Sequence, residues 1–104
     1  MLNSKERAYL KSLSVNADTL FQVGKGGISD ALIKQVDDAL TARELIKISA
    51  LETIPEPAKD IAQKLADATN SEVVAVIGRK MIFWRRNKTN PKIVIKRKKG
   101  TKRD

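Results

Sequence analysis

The sequence contains no cysteine and no histidine. The first absence excludes disulfides and thiolate metal sites, and the second removes the commonest general base and the commonest zinc ligand. Carboxylates offer no substitute: Asp37 and Asp38 are adjacent and, on a helix, point about 100° apart. A catalytic function is therefore not expected, and neither is a metal or a cofactor. Aromatic side chains are scarce, with one Trp, one Tyr and two Phe, and no strand carries the K/R-G-F/Y-G-F-V pattern of an aromatic base-stacking platform. No apolar run approaches the roughly 20 residues of a membrane-spanning helix. The N-terminal MLNSKERAYLKSL lacks an apolar core and a small-residue cleavage site, so a cytoplasmic location is expected.

The chain has 104 residues, the length of one domain with at most a short appendage. The 41% of hydrophobic residues is enough for a single core. There are 21 Lys and Arg against 12 Asp and Glu, a net charge of +9, which is the footprint of a protein that meets polyanions or anionic membranes. The excess is not spread evenly. From residue 85 onward there are ten basic residues and one acidic, leaving 11 of each sign in residues 1–84. A near-neutral domain over residues 1–86 followed by a basic, flexible tail over 87–104 is the expected organisation. Arg85 and Arg86 open the exit, and Lys96, Arg97, Lys98 and Lys99 form a like-charge block suited to sequence-independent attraction to phosphates. A merely solubilising terminus is the plainer alternative, and Ile93, Val94 and Ile95 are the one stretch of the tail that can form an extra strand.

Periodicity orders the domain. Asn3 or Ser4 can cap a first helix with Leu10 and Leu13 on one face. Leu20, Phe21 and Val23 suit a short strand that stops at a glycine cluster. Ser29 can cap a second helix, flanked by Ile28 and Ile33 at the positions of a hydrophobic staple, with Leu32, Val36 and Leu40 following at helical spacing to about Ala42. Ile46, Ile48 and Ala50 alternate with Lys47 and Ser49 as in a half-buried strand. Pro57 fits the first position of a third helix with Ile61, Leu65 and Ala68 in one stripe, and Asn70 is a stop. Val73, Val74, Val76 and Ile77 read as a strand buried on both faces, and Gly78-Arg79 turns into Met81–Trp84 as a hairpin. The fold class is α/β: a single domain of order α-β-α-β-α-β-β with a four-stranded mixed sheet, its first three strands parallel and the last antiparallel. Phe83 and Trp84 face opposite sides of one strand. Either both pack, or the outward ring stacks on a base.

Gly24-Lys25-Gly26-Gly27 lies between a strand and a helix start, where glycines let a backbone approach and the helix presents free N–H groups. It is neither a P-loop nor a dinucleotide fingerprint. The match is to G-x-x-G, which clamps a nucleic-acid backbone in KH modules. A tight turn with no ligand is the alternative reading of the same residues. Arg43 and Lys47 near the second strand, with Arg79 and Lys80 at the hairpin turn, can extend a phosphate-binding surface from Lys25.

Four stretches together resemble the CRM domain found in bacterial YhbY-type ribosome-associated proteins and plant organelle splicing factors. They are Lys11 to Leu13, Val23 to Ile28 with the G-x-x-G loop, Ala42-Arg43-Glu44-Leu45-Ile46-Lys47-Ile48, and Val74 to Arg85 with Ile77-Gly78-Arg79. The resemblance covers nearly all of residues 1–86. It implies a domain similar to the C-terminal domain of translation initiation factor three, and RNA binding linked to assembly of the large ribosomal subunit. The partner is then expected to be ribosomal RNA in pre-large-subunit particles, bound by a monomer. The tail lies outside the resemblance and rests on charge alone. Three other functions compete: an enzyme using the glycine loop, a membrane-surface protein, and a general nucleic-acid binder in which the tail dominates and the loop is only a turn. The first lacks acid–base groups, and the second lacks apolar surface for an anchor.

Overall fold

The computed structural model describes residues 2–15, 17–24 and 26–86. Seven elements follow in order: α1 (Ser4–Ser14), β1 (Gln22–Val23), α2 (Asp30–Arg43), β2 (Leu45–Ala50), α3 (Ala58–Thr69), β3 (Glu72–Ile77) and β4 (Lys80–Trp84). The sequence-derived element order holds throughout. Strand order in the sheet is β1-β2-β4-β3, with β1 parallel to β2 and β4 antiparallel to both neighbours.

Local chemistry sets the helix limits. Asn3 caps α1: Glu6 N–H donates to Asn3 Oδ1 at 2.8 Å, and Asn3 N–H donates to Glu6 Oε1 at 3.0 Å, so two orphan donors are satisfied reciprocally. Ser29 Oγ accepts from Leu32 N–H at 3.1 Å, and α3 ends at Asn70 with a left-handed φ of 56°. Loss of the Ser29 hydroxyl leaves a helix-end donor without its acceptor; Ser29→Ala is expected to lower stability by about 1 kcal/mol in denaturant titration. Pro57 is the N-cap of α3, one residue earlier than the expected position, because its ψ of 145° is extended.

The sheet separates two clusters. On one side α2 and α3 bury Leu32, Val36, Leu40, Ile61 and Leu65 against Ile46, Ile48, Met81 and Phe83. On the other, α1 and its lead-in bury Leu2 and Leu10 against Val74, Ile82 and Trp84. Phe83 and Trp84 therefore both pack, at 0% and 7% exposure, and neither ring is free to stack on a base.

Three further expectations need correction. β4, not β3, is buried on both faces, because β4 sits between β2 and β3 and leaves β3 at the edge; Ile77 is 51% exposed. In α1 the buried stripe is Glu6, Leu10 and Ser14, and Leu13 is 41% exposed. Residues four apart stack on one helical face, whereas Leu13 lies three from Leu10 on the flank that the sheet does not reach. In α3 the stripe ends on Thr69 rather than Ala68, with the Thr69 hydroxyl satisfied by the Leu65 carbonyl at 2.7 Å.

Candidate nucleic-acid interface

β1 is short because only residues 20–23 reach the β2 edge. Leu20 N–H donates to Lys47 O and Leu51 N–H to Val23 O, at 2.9 and 3.1 Å. The chain then turns through the glycine loop, where Gly27 N–H donates to Gly24 O at 2.9 Å, and enters α2 at Ser29. Gly27 has a φ of +68°, a left-handed conformation that favours glycine. Gly24 and Gly26 have no such backbone demand, and a Cβ at 24, 26 or 27 would meet nothing within 4 Å. The protein's own packing thus gives no reason for glycine at 24 and 26. What their bareness does is leave backbone open to the outside beside a helix N-terminus, the arrangement that receives an anion. Lys25 lies outside the described residues.

Registers show which candidates share the loop's end of the sheet. Val23 pairs with Ala50, and Ser49 and Ile77 both pair with Lys80. The glycine loop, the loop after β2 and the Gly78-Arg79 turn thus lie together. At the other end Leu45 and Glu72 pair with Trp84; Arg43, Arg85 and Arg86 are there, about 17 Å away along β2. The structure brings Lys80 towards the glycine loop and separates it from Arg43 and the start of the tail.

The basic side chains also differ in what they hold. Lys80, Arg43 and Arg86 are exposed. Lys47 faces α1 and reaches the Ser14 and Ala17 carbonyls at 3.4 Å each, near the C-terminal end of that helix. Arg79 donates to the carbonyls of Leu51, Ile54 and Glu56, fastening the loop that leads into α3. That loop is further held by Glu56, whose carboxylate accepts from Lys64; the hydrogen bond and charge of Glu56 raise the Lys64 ammonium above its usual pKa. Arg85 donates to Asp37 Oδ1 at 2.6 Å, Thr69 O at 2.7 Å, Asp37 O at 3.0 Å and Thr41 Oγ1 at 2.8 Å. It crosses a cleft of about 620 Å³ between the ends of α2 and α3. Arg79 and Arg85, two of the RNA-contact candidates, therefore direct their guanidinium groups at protein oxygens 16 to 48 residues away in sequence. Lys96, Arg97, Lys98 and Lys99, with the possible strand at 93–95, lie outside the described residues.

Reading by residue type missed a second hollow of about 260 Å³ on the α1 side, lined by Lys11, Val15, Lys47, Ile77, Lys80 and Ile82 together with Ser14. The alternation of Lys47 and Ser49 was its one legible signal. Among the described residues no cluster of three or more acidic side chains is placed to hold a metal ion, and no helix is long and apolar enough to cross a membrane.

Known proteins resemble this chain in sequence and, for one solved structure, in fold. The chain is similar to the probable RNA-binding protein YqeI of Bacillus subtilis (strain 168), with 40% identity over 93 residues that cover 89% of this chain and 97% of that one. It is 34% identical over 106 residues to the probable RNA-binding protein MJ0652 of Methanocaldococcus jannaschii, covering 99% and 78% of the two chains. The solution structure of SAV1595 from Staphylococcus aureus, described as a candidate RNA-binding protein, matches with a TM-score of 0.78 and 45% identity over 92% of this chain and all of that one. A CRS1 / YhbY (CRM) domain model runs from residue 2 to residue 85, a span that contains all seven elements, and the chain belongs to that family.

Proposed function

We propose that the chain is a non-catalytic, monomeric RNA-binding protein of the cytoplasm that associates with the large ribosomal subunit or its precursor and assists its assembly. The observation that carries RNA binding is the bare backbone at Gly24 and Gly26, which internal packing does not require, at the mouth of a 14-residue helix. Phosphate oxygens accept from backbone N–H groups there, so RNA is positioned by contacts that carry no base information. The names of YqeI and MJ0652 support RNA as the ligand class. The ribosomal assignment rests on the likeness to YhbY-type proteins. Gradient sedimentation of a cell extract tests it: the protein is expected with large-subunit particles, and a profile confined to the top of the gradient would refute the assignment.

The division of labour between domain and tail has its own test. A chain ending at Asn87 keeps every element from α1 to β4 and loses eight of the 21 basic residues. It is expected to unfold cooperatively and to bind RNA more weakly. Its log affinity falls less steeply with log salt, by about 0.7 to 0.9 for each phosphate that the tail would have neutralised. Identical slopes for both chains would make the tail a bystander; complete loss of binding would make the tail, and not the glycine loop, the main RNA contact.

A further inference from the structure

α1 covers only part of its side of the sheet. Leu2 and Leu10 sit over Val74, Ile82 and Trp84, whereas the half nearer the glycine loop carries Lys47 and Ser49 of β2, Lys80 of β4 and Ile77 of β3, with Lys11 and Val15 at the end of α1. Val15 and Ile77 are two of the four large hydrophobic residues exposed among those described, at 68% and 51%. Three ammonium groups therefore rim a hollow with an aliphatic lining, and none of its lining residues is acidic.

We propose that this uncovered half of the sheet is a second RNA contact, taking a single-stranded segment that continues from the glycine loop; it rests on the reading of that loop as a phosphate clamp. Two features select this occupant. Charge is one: lysines on the rim attract a phosphodiester chain, while the exposed Val15 and Ile77 offer apolar surface to bases. Continuity is the other. Lys80 pairs with Ser49, and Ser49 with Gln22, so the rim lies about 10 Å, two strand spacings, from the strand that feeds the loop. A strand leaving the loop meets Lys80 first and then the lining between Ile77 and Val15. Lys47 stays a positioning residue, because its ammonium already faces the Ser14 and Ala17 carbonyls.

The test uses the full chain and two fluorescent oligouridylates. One has about four nucleotides, the length a G-x-x-G loop clamps, and the other about ten, within the usual range of single-strand sites. Both Ile77 and Lys80 are exposed, so Ile77→Ser with Lys80→Ala leaves the core alone, and Lys59→Ala on exposed α3 surface is the control for a bare loss of charge. The double variant is expected to bind the longer strand about tenfold more weakly, to keep its affinity for the shorter, and to lose about 0.7 of the salt slope. Gly27→Asp weakens binding of both strands. Loss with Gly27→Asp alone overturns the sheet-face contact and leaves that face to a protein partner; loss with the double variant alone overturns the loop reading instead. Cross-linking of a 4-thiouridine strand gives an independent measurement: adducts on peptides containing Val15 or residues 77–82 are expected, and adducts confined to other peptides would refute the proposal.

Discussion

Gly27→Asp is expected to stay folded and to bind RNA about ten- to a hundredfold more weakly, a loss of about 1.4–2.8 kcal/mol. Folding survives because the new Cβ meets nothing within 4 Å. The remaining cost is the left-handed backbone at φ +68°, about 1 kcal/mol for a residue type that visits this region more readily than most. Binding suffers twice: the side chain occupies the approach to the loop, and its carboxylate opposes phosphate at the end of α2 where the dipole favours it. Gly27→Asn separates the two effects, since it keeps the bulk and removes the charge, and should fall between Asp and the parent. Lys25→Glu adds repulsion with no change at a glycine and should act in the same direction. Anisotropy titration with RNA, read beside thermal unfolding, decides the matter; unchanged affinity in folded Gly27→Asp and Lys25→Glu would sink the loop as a phosphate clamp.

Arg79→Met is expected to do the opposite, lowering stability while leaving affinity per folded molecule intact. Arg79 supplies donors to three carbonyls of the loop before α3. Its guanidinium suits that task because a rigid planar fork spreads five donors in fixed directions, whereas an ammonium is a compact point charge with three. Besides the Lys64–Glu56 bond and the buried Ile54, the loop has no helix cap to hold it: Pro57, the N-cap of α3, makes no side-chain capping bond. Methionine keeps the apolar stem and removes the donors, leaving half-buried carbonyls unsatisfied at a cost of about 2–4 kcal/mol. For a domain of this size each kcal/mol lowers Tm by about 4–8 °C. Arg79→Lys should recover only a fraction. Denaturant titration measures the loss, and parent-like stability combined with weakened RNA binding would place Arg79 in the RNA surface instead.

Features that depend on neighbours within a few residues were legible in the chain, because spacing alone reveals them. Ile46, Ile48 and Ala50 alternate as a half-buried strand and are buried in the structure. Ser29 and Asn70 are the residue types that begin and end helices, and both do so here. The glycine loop was legible for the same reason, as a strand–turn–helix junction with its own residue signature.

Long-range order settled the rest. Two adjacent apolar runs, Val73–Ile77 and Met81–Trp84, both suit a central strand. Nothing within either run says which will be central. The β2–β4 pairing joins residues more than 30 positions apart and makes β3 the edge, and it is this edge that exposes Ile77. The same pairing puts Arg43 and Arg85 at the end of the sheet away from the glycine loop. Long side chains add a further freedom. The sequence alone counts Arg79 and Arg85 as surface charges, but a guanidinium on a flexible stem reaches oxygens wherever the fold brings them. Arg85 ties α2 to the end of α3 across 48 and 16 residues. Charge and glycine are legible as types at positions in the chain; whether a cation is free for phosphate or held by a carbonyl depends on contacts that exist only once the sheet is assembled.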